Sequence, residues 1–118
     1  MLTFIWIVQG VLALLFLMAG FMKATQPKEK LAERLTWVED FSASQVKTIG
    51  VLEVLGGLGL VLPVLTGILP ILTPLAAIGL VLTMIGAAYT HYRRGEMPAI
   101  GVNVVLLLLS AFVAYAYL

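Results

Sequence analysis

The chain has 118 residues, 62% of them hydrophobic and 11% charged, with a net charge of +1 and a mean hydropathy of +1.10. Soluble domains are about half apolar and about a quarter charged, so the composition excludes an ordinary water-soluble domain and points to the membrane. Cysteine is absent, which excludes disulfide scaffolding, thiol redox chemistry, thiolate zinc sites and iron–sulfur clusters within this chain.

Residues 2–24 predict a first transmembrane helix, long enough at about 1.5 Å per residue to cross a ~30 Å hydrocarbon core. The run lacks a preceding basic region and exceeds the usual apolar stretch of a signal peptide, so it reads as a retained span. Gln9, Gly10, Ala13, Gly20 and Lys23 share one half of its helical wheel, the small residues allowing close helix approach. Trp6 suits the membrane interface. Gln26-Pro27 ends the helix, because proline disfavours helical geometry in the residue before it.

Residues 28–41 are the charge-rich part. Leu31, Leu35, Val38 and Phe41 recur at three- and four-residue spacing, which predicts a short amphipathic helix on the membrane surface with Trp37 as its anchor. Ser42 and Ser44 are N-cap candidates for a second span over 45–62, closed by Pro63. On its wheel Gly50, Glu53, Gly56 and Gly57 share an arc of roughly 120°, so Glu53 is expected on the tightly packed face.

The stretch 64–73 is an uncharged connection with a turn signal at Thr66-Gly67. Thr73-Pro74 reads as an N-cap followed by proline at the first helical position, opening a third span over 74–92; Pro70 is the alternative opening proline, about a turn earlier. Ala76, Gly79, Thr83, Gly86 and Thr90 make a narrow small-residue stripe on it. Arg93 to Glu96 is a polar turn, and Pro98 opens a fourth span over 98–118. There Asn103, Ser110 and Ala114 line one face, with Tyr115 and Tyr117 as belt residues. The expected architecture is therefore all-α: a single four-transmembrane-helix bundle with an amphipathic surface helix between the first two spans. Gly50, Gly56, Gly57, Gly79 and Gly86 are the expected packing positions.

All seven lysines and arginines fall in the segment 23–47 or at Arg93 and Arg94. Four spans put both regions on one side. The positive-inside rule then makes loops 25–44 and 93–97 cytoplasmic, with both termini outside, in the cytoplasmic (inner) membrane of a bacterium.

In that orientation Glu53 lies about 12 Å into the second span. Asn103 enters from the same side, His91 ends the third span, and Lys23 ends the first. Helical side chains lean toward the N-terminus, so Lys23 reaches back toward Glu53. A carboxylate in a span costs about 2.5–3.5 kcal/mol on lenient scales and more on others, so it needs a partner or a task. Two readings stand open: a polar pocket formed by Glu53, Lys23, Asn103 and His91, or a structural link in which Glu53 pairs with Lys23 and bonds Asn103 to fix helix register. Neither a catalytic set nor a metal-ligand cluster is legible. The single histidine beside two arginines suits an interfacial position, and basic residues flanking spans suit lipid phosphates rather than nucleic acid.

Five short patterns between residues 50 and 96, with LMAGFMK upstream and an asparagine-bearing last helix, carry a resemblance: Gly50 with Glu53; Pro63 with Thr66 and Gly67; Pro74 with Ala76 and Ala77; Met84 with Ala87; and His91 with Arg93, Arg94 and Glu96. With these the chain resembles the DoxX-like family of small bacterial four-helix membrane proteins. The resemblance implies the four-helix fold and carries no catalytic residues across. It implies an association with membrane oxidoreductase complexes, since the family takes its name from a subunit linked to quinone-reducing sulfur oxidation in archaea, while distant animal relatives act as receptor-assembly chaperones. Three functions follow as expectations: a non-catalytic accessory or assembly subunit, a quinone- or lipid-binding component of an oxidoreductase complex, and a small oligomeric proton-coupled transporter. The residues demand no cofactor, and quinone is the one the pocket reading admits. The expected surroundings are the bilayer, with other membrane subunits or further copies of the chain as candidate partners.

Overall fold

The computed structural model describes residues 2–117. Its helices are α1 (Leu2–Thr25), the single turn α2 (Lys28–Leu31), α3 (Ala43–Thr66), α4 (Leu72–Arg93) and α5 (Met97–Tyr117), with a 3-10 segment at Thr36–Asp40. α1, α3, α4 and α5 are each long and apolar enough to cross a membrane, and the long dimension of the molecule, 40 Å, suits a bilayer with its interfaces. Phe4, Ile7, Val11, Leu14, Met18 and Phe21 recur every three to four residues on α1 and are all at least half exposed. In water such a stripe would be an aggregation surface; in a bilayer it is the lipid-facing side.

The four long helices form two tight antiparallel pairs. In the first pair, α1 and α3 cross where Gly20 faces Gly50. A Cβ built on Gly50 would lie 2.5 Å from the Ala24 nitrogen and 2.7 Å from the Gly20 carbonyl oxygen, so backbone there meets backbone. The second pair is α4 and α5. Contacts between the pairs include Gly56 against Leu80 and Gly59 against Ala76, Phe4 edge-on to Phe112, and the Tyr117 hydroxyl donating to Gln9. These lie toward the end that carries the 66–72 connection and the two termini. The core, with Leu12, Phe16, Leu60, Leu80, Met84 and Val113, spans both pairs.

Several expectations are corrected. Pro63 does not close α3, which runs on to Thr66 with Pro63 buried inside it. A proline cannot donate to the carbonyl four residues back, here that of Gly59. The Thr73 hydroxyl donates to that oxygen at 3.0 Å, which re-satisfies it in a medium without water. Thr73 is thereby no N-cap: α4 starts two residues earlier than expected, at Leu72 behind Ile71, with no side-chain cap. α3 ends instead at Gly67, whose φ of 75° is the left-handed C-cap that glycine adopts most readily. Its start matches the sequence, with Ser42 and Gln45 forming a capping box.

The surface helix is also corrected. Only Lys28–Leu31 is α-helical, and the chain then turns into the 3-10 segment. Along a straight helix Leu31 and Val38, seven residues apart, would be about 10 Å from one another. The bend lets both pack into one small cluster with Val46 of α3, flanked by Met22, Leu35, Trp37 and Phe41. Gly79 and Gly86 are not packing positions: a Cβ on either meets nothing within 4 Å. Gly50, Gly56 and Gly57 do pack closely, and Gly20 and Gly59 join them. Tyr117 turns inward to Gln9 and not to a belt. Leu118, the expected end of the fourth span, lies outside the described residues.

Candidate functional site

At the end that carries the charged loops, a partly enclosed cavity of about 1020 Å³ lies between the two helix pairs. Phe16 and Met84 of the core form part of its lining. Lys23, Glu53, His91 and Asn103 all line it, one from each long helix. Antiparallel packing brings the end of α1, the first half of α3, the end of α4 and the start of α5 to the same level.

Glu53 is 2% exposed, and Lys23 Nζ donates to its Oε1 at 2.6 Å. The contact depends on the Gly20–Gly50 crossing, because only glycines let α1 and α3 come close enough one turn away. Lys23 sits in the last turn of α1 and leans back along it toward the membrane interior. Its ammonium also lies 5.5 Å from the centroid of the Trp37 ring, a cation–π contact that ties the surface segment to the cavity.

Asn103 does not bond Glu53. Its Nδ2 points at Met84 Sδ, 3.7 Å away, a weak acceptor, and its buried Oδ1 has no partner. His91 likewise turns away from Glu53. Its Nδ1 is 2.8 Å from Glu96 Oε1.

Glu96 belongs to a second cluster at the mouth of the cavity. The Thr36 hydroxyl donates to its Oε2 at 2.6 Å, and Arg94 Nε lies 3.4 Å from that same oxygen, close enough for an ion pair. Arg94 also pairs with Asp40 at 2.8 Å and reaches Glu39 at 3.8 Å. Glu96 is thereby held at a pKa of about 2, by the Thr36 hydroxyl first, then His91 and Arg94. The Arg94 pKa is raised, chiefly by its hydrogen bond to Asp40. This latch joins the segment after α1 to the turn between α4 and α5, and so ties the two helix pairs together across the mouth. Gly95, with φ of 72°, makes that turn tight enough to fold Glu96 back toward His91.

Sequence reasoning missed two participants. Trp37 carried an amphipathic signal that pointed to lipid, not to Lys23. Met84, the partner of Asn103, carried no polar signal at all. The small-residue stripe of α4 was legible, but it divides: Ala76 packs against Gly59, while Thr83, Gly86 and Thr90 line the cavity.

Four apolar spans in two pairs, the α1–α3 pair closed on glycines, with a polar-lined cavity at one end, define an integral membrane helical-bundle protein. The model of the DoxX-like family matches residues 7–113, nearly the whole chain, and the chain belongs to that family. Neither the curated proteins nor the solved structures contain a match to it.

Proposed function

We propose that the chain is a ligand-binding accessory subunit of the membrane, taking the polar head of an otherwise apolar molecule, a quinone or a lipid, into the cavity at its charged end. The cavity itself carries this reading. Its volume of about 1020 Å³ matches the ~300–1,000 Å³ typical of small-molecule sites, and its lining is mainly apolar with a few convergent polar groups, the usual pattern for such sites. In this reading the charged end faces the cytoplasm, because all seven lysines and arginines gather there. The native chain has no cysteine, so a single cysteine at Glu29 or Gly67 reports its own side: an impermeant maleimide added outside intact cells should label Gly67→Cys and spare Glu29→Cys, and the reverse pattern refutes the orientation.

Gly86 supplies the test of binding. It lines the cavity and has free space beyond its Cβ position, so Gly86→Phe fills the cavity while sparing the packed glycines. Mass spectrometry of organic extracts should find a quinone or lipid retained near stoichiometry by the wild type through extensive delipidation, and lost from Gly86→Phe at unchanged melting temperature. Equal retention by a folded Gly86→Phe protein would sink the proposal.

A further inference from the structure

The polar groups that line the cavity are unequal in hydrogen-bonding capacity, and the imbalance identifies the head that fits. Thr83 and Thr90 donate their hydroxyl hydrogens to the carbonyls of Gly79 and Gly86, at 2.9 and 3.0 Å. What each offers to the cavity is oxygen lone pairs. Asn103 is 8% exposed, and its amide orientation is set by Met84, whose thioether can only accept. Nδ2 therefore faces the sulfur and Oδ1 is the unpartnered atom. Glu53 engages Lys23 through Oε1, and its other carboxyl oxygen keeps acceptor capacity.

His91 turns its Nδ1 to Glu96, an ionised carboxylate that can only accept, so Nδ1 carries the hydrogen and is not offered to the cavity. The donors of the lining are engaged elsewhere: Lys23 donates to Glu53 and lies over the Trp37 ring, Arg94 pairs with Asp40, and the Arg93 guanidinium lies over the Tyr89 ring at the end of α4. A buried acceptor left without a donor is penalised, so a head that supplies donors removes a cost which a carbonyl-only head leaves standing.

Resting on the proposed binding role of the cavity, we infer that it selects heads that donate hydrogen bonds: a hydroquinone or another hydroxyl-bearing head on an apolar tail, in preference to the same head with its donors removed. Asn103 and Thr83 are the specificity-determining residues.

The test uses the full chain in nanodiscs with Trp6→Phe, so that Trp37, which itself lines the cavity, is the only tryptophan reporter. Four probes are titrated: a decyl hydroquinone kept reduced under argon, the matching decyl benzoquinone, a decanoyl monoglyceride, and that monoglyceride with both hydroxyls methylated. The half-saturating concentration is read, since it does not depend on how strongly each probe quenches. At least one hydroxylated probe is expected to half-saturate about tenfold lower than its capped counterpart. The hydroquinone pair identifies an aromatic ligand, and the glyceride pair a lipid. Asn103→Leu and Thr83→Val should each cut the preference several-fold, read as the ratio of the half-saturating concentrations of the hydroxylated and capped probes. A melting temperature near that of the wild type establishes that each variant is folded. Saturable binding of the capped probes with equal or higher affinity overturns the donor preference but leaves the cavity reading intact. Absence of saturable binding by all four overturns both.

Discussion

Lys23 and Glu53 hold opposite charges 2.6 Å apart beside the tightest helix crossing in the molecule. An ion pair taken out of water is a weak source of stability, but half of one is a strong source of instability. Glu53→Ala should therefore lower stability by about 3 kcal/mol, because the Lys23 ammonium loses its partner in a span. Lys23→Met with Glu53→Leu should recover most of that loss. Thermal unfolding in one detergent decides this, and a Glu53→Ala protein as stable as the wild type would refute a structural share for the pair. That the two residues meet was legible in the sequence from depth and side-chain direction. That Asn103 bonds Met84 was not, because a thioether announces no polar role and the Asn103 rotamer depends on neighbours from another helix.

At the scale of the helix, glycines that look alike in sequence differ in what they face. A Cβ at Gly50 meets backbone atoms of α1, which cannot rotate away, whereas Gly79 faces open space. Gly50→Ala is expected to cost about 1–3 kcal/mol through forced separation of α1 and α3. Gly79→Ala should be neutral or stabilising by up to about 1 kcal/mol, since alanine is the better helix former. Melting temperatures of the two variants check both signs together. The glycine stripes were legible, but their partners were not: periodicity assigns residues to one face of a helix, and only the neighbours say whether that face is covered. Pro63 shows the same limit. Proline usually ends a helix, and α3 continues because Thr73 of α4 supplies the donor that Gly59 lost.

For the whole molecule the decisive feature is unequal contact between the two helix pairs, joined by packing toward one end and by the Arg94–Asp40 and Glu96–Thr36 latch across the cavity mouth at the other. The latch predicts a pH dependence. Glu96 has its pKa lowered from 4.5 to about 2, so its contribution is fully present above 4.5 and lost as pH falls toward 2. Wild type should therefore melt above Glu96→Gln near neutral pH, with the gap closing through that acid window. A gap that stays constant with pH would remove the electrostatic role of Glu96. If the latch limits entry to the cavity, Glu96→Gln should also speed probe association more than it changes affinity, as followed by Trp37 fluorescence in stopped flow.

The sequence by itself determined the class of the protein, the number of spans, the gathering of every basic residue at one end and the burial of Glu53 against Lys23. Each follows from hydropathy, charge count and helical geometry, which act along one chain. Tertiary structure decided which glycines touch, how α3 passes Pro63, that the surface segment bends so that Leu31 and Val38 share a cluster, and that the pairs leave a cavity between them. These depend on atoms brought together from different helices. A cavity is the space those helices fail to fill, and no single segment encodes it.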